Sequence, residues 1–69
     1  MKKSIKQLEQ ESECTLYEGL RDYVESCIRT EHYDDEDNID YFMRENSIIS
    51  SERGIVADTY MTALNDFIR

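Results

Sequence analysis

The sequence predicts an all-α fold, a small helical domain of two or three helices, on three observations. Apolar residues recur every three or four positions along most of the 69 residues, no stretch alternates as a strand would, and proline is absent while glycine occurs only twice. The first is the spacing of a helix face, and the last leaves almost nothing to interrupt one.

Taken in order, Ile5, Leu8, Ser12, Leu16, Leu20, Tyr23 and Cys27 trace one helical stripe, which Tyr17, Val24 and Ile28 widen. One long helix from about Ser4 to Thr30 is the expectation. Ser4 with Gln7 is a candidate capping box. Thr15 with Glu18 is a second, so a break near Ser12 is the alternative. The segment Glu31–Glu36 reads as a polar turn, after which Asp37 or Asn38 caps a short helix holding Ile39, Phe42 and Met43 and ending near Asn46. Ile48 and Ile49 then plug the core. Ser50 or Ser51 caps a C-terminal amphipathic helix. On it Val56, Tyr60, Ala63 and Phe67 form one line, with Ala57, Met61, Leu64 and Ile68 beside it. Together they cover about 160° of the circumference, more than the roughly 100° one neighbour requires. The sequence therefore assigns Val56, Tyr60, Leu64, Phe67 and Ile68 to self-association.

The length fits a single domain, residues 1–69. A chain this short buries only about 60% of its unfolded surface, and such cores rarely yield more than roughly 3–5 kcal/mol. A staple is expected. Cys14 and Cys27 lie about 220° apart on a continuous helix and could not bridge there, and His32 is the lone histidine, so neither a disulfide framework nor zinc is expected. A homodimer remains. Free thiols, the lack of an export signal and the lack of a long apolar run point to a cytoplasmic protein that does not enter membranes.

Charge is the other informative feature. The net charge is −8, and between Gln7 and Ser47 thirteen acidic residues face only Arg21, Arg29 and Arg44. A field of this sign repels nucleic acid and attracts basic protein surfaces. Glu11, Glu18, Asp22 and Glu25 fall within about 60° on a single helix, and Asp34, Asp35, Glu36 and Asp37 continue the acid into the turn. Such a row can imitate a phosphate backbone. Tyr17 and Tyr33, each among carboxylates, are candidate anchors. These ten residues form the expected contact with a basic partner, a nuclease, polymerase or other nucleic-acid-binding protein. Solvated acidic surface is the plain alternative.

Other chemistries have little support. Asp34, Glu36, Asn38, Asp40 and Glu45 match a calcium-loop template, but Ile39 stands where the bend demands glycine. There is no nucleophile with a recognisable base and no glycine-rich phosphate loop, so no enzyme, metal or cofactor is expected. Arg53 and Arg69 against Glu52, Asp58 and Asp66 make too weak a basic face for direct duplex binding. In composition, though without any shared motif, the chain resembles the short acidic, tyrosine-bearing inhibitors that phages and mobile elements direct against host nucleases and polymerases. That likeness implies an inhibitor or regulator. A structural or assembly role, as an obligate homodimer or small subunit, is the alternative.

Overall fold

The computed structural model describes all residues, Met1–Arg69. It is 75% helical and contains no strand. Four α-helices follow one another: α1 (Ile5–Ser12), α2 (Leu16–Arg29), α3 (Asp35–Glu45) and α4 (Arg53–Ile68), the last entered through a 3₁₀ turn at Ser50–Glu52.

The single long N-terminal helix is therefore corrected to two. Helix α1 ends at Glu13, whose φ of 58° is left-handed and turns the chain out of the helix. Thr15 then opens α2 through the capping box read from the sequence. The Glu18 backbone N–H donates to Thr15 Oγ1 at 3.2 Å, and the Thr15 N–H donates to Glu18 Oε1 at 3.1 Å. Glu9 reaches across from α1 to accept from the Leu16 N–H at 2.7 Å, which locks the corner.

Helix α3 begins earlier than expected. Asp34, not Asp37 or Asn38, is its cap, accepting from the Asp37 N–H at 3.2 Å. Both α2 and α3 end in the same way. His32 N–H donates to Cys27 O and Glu31 N–H to Ile28 O, and likewise Ile48 N–H to Met43 O and Ser47 N–H to Arg44 O. These are Schellman turns, with Glu31 (φ 60°) and Ser47 (φ 53°) in the left-handed position. Asn46, expected to tolerate that conformation, stays at φ −102°. Neither Ser50 nor Ser51 caps α4; the 3₁₀ turn leads directly into it.

The core joins Ile5, Leu16, Leu20, Val24, Ile39, Phe42, Met43, Ile48, Val56, Tyr60 and Ala63. Helices α2 and α4 form its main contact, with α3 laid against α4 and the short α1 against α2. Ile48 plugs the core as expected, and Ile49 is half-buried. The N-terminus is pinned there too, because Lys3 exchanges backbone hydrogen bonds with Ser47 and Ile49 in an isolated bridge. Cys14 and Cys27 are free thiols, and no helix is long and apolar enough to cross a membrane.

Candidate functional site

The ten residues read as a partner-binding face divide into two groups. Six have structural partners in the chain. Glu18 closes the α2 capping box, and those hydrogen bonds from Thr15 hold its carboxyl below its ordinary pKa. Asp34 caps α3. Asp35 accepts from the Tyr60 hydroxyl at 3.0 Å. Glu11 pairs with Lys3 at 2.5 Å, which lowers its pKa, and Glu25 pairs with Arg29 at 3.1 Å. Tyr17 is half-buried, its hydroxyl bonded to Asp66. Asp22, Glu36 and Asp37 are exposed, with no cation or hydrogen-bond donor on their carboxylates, and Tyr33 is exposed as well. Since the chain turns at Glu13, Glu11 no longer shares a helix with Glu18, Asp22 and Glu25, and the continuous row of four becomes a row of three.

The calcium-loop template does not form a loop. Its positions from Glu36 onward lie on α3, where Asp40 pairs with Arg53 and the Asn38 side chain points into the protein. No group of three or more His, Cys, Asp or Glu side chains converges as a metal site would require.

The structure adds a feature the sequence reading missed. An open groove of about 570 Å³ runs between α2 and α3, bounded by Tyr23, Cys27, Thr30, Asp37, Asn38 and Tyr41 among others. One wall is aromatic: Tyr41 stacks on Tyr23 with ring centroids 6.2 Å apart and planes 7° from parallel. At the base lies Asn38, only 6% exposed. Its Nδ2 donates to His32 O at 2.8 Å and to Tyr60 Oη at 3.0 Å, and the Tyr60 hydroxyl in turn donates a hydrogen bond to Asp35 Oδ1 at 3.0 Å. Tyr23 Oη donates to the Asn38 carbonyl at 2.8 Å. Burial pushes the Tyr60 phenol up to about 12 and the Tyr23 phenol higher still, so both act as neutral hydrogen-bonding groups. Burial likewise raises the Cys27 thiol, which makes it a poor nucleophile at neutral pH. A polar residue in a run of acids looks like surface; nothing local marks Asn38 as interior.

On α4, Val56 and Tyr60, expected at a self-association surface, are enclosed by the chain's own core. Leu64 and Phe67 are half-buried against that core, and Ile68 is exposed.

Comparison with protein-family models, with curated proteins and with solved structures finds no match to this chain.

Proposed function

We propose that this is a small acidic protein that binds, and so inhibits or regulates, a basic partner that handles nucleic acid. One observation carries the reading. Of sixteen carboxylate side chains only three, Glu11, Glu25 and Asp40, have a cationic side chain within ion-pairing distance. A surface with so much uncompensated charge repels itself, and a basic partner relieves that cost while gaining speed of encounter. Asp22, Glu36 and Asp37 are the contact carboxylates in this reading, since they are exposed and neither ion-paired nor hydrogen-bonded, although the first turn of α3 also favours Glu36 and Asp37.

The test is capture of partners from a host extract at low salt, followed by elution across a salt series. A basic nuclease or polymerase released steeply as salt rises supports the reading, because exposed charges are screened over about 10 Å at 0.1 M. The triple variant Asp22→Lys, Glu36→Lys, Asp37→Lys is then expected to lose that partner while keeping its helicity. Binding indifferent to both salt and reversal refutes it.

A second reading, assembly through self-association, is favoured by the outer side of α4. Ile55, Met61 and Ile68 are 56%, 40% and 64% exposed, and the exposed residues from Gly54 to Arg69 include only two charges, Asp58 and Arg69. Charge depletion of this kind marks the centre of interfaces. Ala57, Met61, Leu64 and Ile68 also follow the four-three-four spacing of a coiled-coil seam. The occupant in this reading is a second copy, since this is the side on which two bodies of charge −8 can approach with least repulsion. Met61→Glu with Ile68→Glu tests it without touching the core: light scattering is expected to report a dimer for the wild type and a monomer for the variant. A monomeric wild type at high concentration refutes it.

A further inference from the structure

We infer that the groove between α2 and α3 is a receptor for an arginine side chain presented by the basic partner. The inference deepens the acidic-binder reading above and rests on it.

Three independent features define the occupant. The first is an unused acceptor. Asn38 is almost wholly buried, and its amide orientation is fixed because the His32 carbonyl it faces can only accept. With both Nδ2 protons placed, Oδ1 makes no hydrogen bond within the chain. No enclosed side-chain polar atom here lacks a partner, so this oxygen keeps some exposure, and Asn38 is one of the residues that line the groove. A buried amide that offers only an acceptor calls for a donor.

The second feature is a charge beside it. Asp37 lies next in the chain, lines the groove and is exposed, with no cation near its carboxylate. Asp40, further along, is already held by Arg53. The groove is polarised, because Arg44 lies at its other end, two turns from Asp37 or about 10 Å along the helix axis. A cation is therefore directed to the Asp37–Asn38 end.

The third feature is a flat wall. Tyr41 is 50% exposed although stacked on Tyr23, so one ring face rests on the protein and the other is free. A ring held in this way presents its negative face to a planar cation. Guanidinium fits all three features: it stacks on an aromatic face, its fork of N–H donors serves an amide oxygen and a carboxylate together, and it sheds water more readily than an ammonium group. A lysine ammonium could sit over the ring as a point charge but lacks the planar fork that serves the ring, the amide oxygen and the carboxylate together.

The probes are acetyl-arginine amide, its neutral citrulline counterpart and a short arginine-rich peptide, each titrated into isotopically labelled protein and followed by NMR. Saturable shifts centred on the Asn38 side-chain amide, Thr30 and Tyr41 are expected with the arginine probe, and weaker ones with citrulline. Asp37→Asn and Tyr41→Leu change exposed groups, and each is expected to weaken binding about tenfold, the value of one charge-assisted contact. Shifts spread over all carboxylates without saturation overturn the inference, as do variants that bind like the wild type. If the peptide then still binds in a salt-sensitive way, the groove is excluded while the acidic-binder reading stands. If the peptide fails to bind the wild type even at low salt, both fall.

Discussion

Replacing Tyr60 with phenylalanine removes one oxygen from the centre of this fold and leaves the ring volume unchanged. Tyr60 is only 1% exposed, and its hydroxyl is the middle member of a chain running from Asn38 Nδ2 through Tyr60 Oη to Asp35 Oδ1, with both links at 3.0 Å. The variant leaves one Asn38 N–H without a partner in the interior, while the other keeps His32 O. Leaving a buried donor unsatisfied costs about 1–3 kcal/mol. Asp35 is less enclosed and can turn to water, so the expected loss is about 2 kcal/mol, set by the Asn38 side of the chain. Against a total of roughly 3–5 kcal/mol for a domain of this size, that is close to half. In urea, with a slope of about 1 kcal/mol per molar for so small a chain, the midpoint should fall by about 2 M. Asn38→Ala should overlap in effect with Tyr60→Phe, the double variant losing less than the sum of the singles, since both break the same bond. A midpoint shift below about 0.3 M, or strict additivity, would refute the claim that this network holds α3 to α4.

Four further outcomes follow from the geometry. Thr15→Ala removes the oxygen that caps α2 and should cost about 1 kcal/mol, with faster amide exchange at Glu18; unchanged protection there would show that Glu9 alone secures the corner. Ser47→Gly relieves a left-handed backbone at φ 53° and should stabilise by about 1 kcal/mol in urea denaturation, a loss counting against the strain argument. Gly19 lies inside α2 with no atom beyond its own helix backbone and chain neighbours within 4 Å of where a Cβ would stand, so Gly19→Ala should raise stability by roughly 0.5–1 kcal/mol; a lower midpoint would refute the open space. Alkaline pH should unfold the chain. The Tyr60 phenol is raised from 10.0 to about 12 by burial, with Asp35 adding to the effect and the Asn38 bond opposing it. The unfolded phenol thus ionises first, and stability present below pH 10.0 is lost as pH climbs towards 12. Tyr60→Phe should lessen that dependence, measured by circular dichroism across the range.

The fold class was legible because periodicity survives almost any boundary error, and the stripe through Ile5, Leu16, Leu20 and Val24 is interior throughout. The boundaries were harder because this chain uses its helix signals in unusual places. Its two glycines, Gly19 and Gly54, are helical, while Glu13, Glu31 and Ser47 take the left-handed turns that glycine usually marks. The stripe runs on across Ser12 to Leu16 with helical spacing even though the backbone turns between them, so only the Thr15–Glu18 box betrayed the break. Of the candidate site, charge was visible and its division was not. Glu18 and Asp22 look alike in sequence, yet one caps a helix and the other is idle. Asn38 was invisible as a buried residue because its partners, His32 O and Tyr60 Oη, come from a loop and from a helix 22 positions on.

That division alters what the acidic composition means. A short chain with four α-helices has many free N-terminal amides to satisfy, and carboxylates suit them both by hydrogen bonding and by their favourable interaction with the helix dipole. Glu9 and Glu18 serve the start of α2, Asp34 the start of α3, and Glu52 accepts from the Ile5 N–H at the start of α1. Asp35 and Asp66 receive tyrosine hydroxyls. These acids would be present in a protein with no partner at all. The total of −8 therefore says little about a partner; the carboxylates left without an ion pair or hydrogen bond say more. Asp22, Glu36 and Asp37 hold no ion pair and accept no hydrogen bond; the dipole of α3 favours Glu36 and Asp37 in its first turn, while all three add to the repulsion every other acid feels. Asp37 alone also borders a groove with a stacked tyrosine wall and an unused buried acceptor. There the surplus charge meets a shaped surface, and a partner's arginine would gain more than screening.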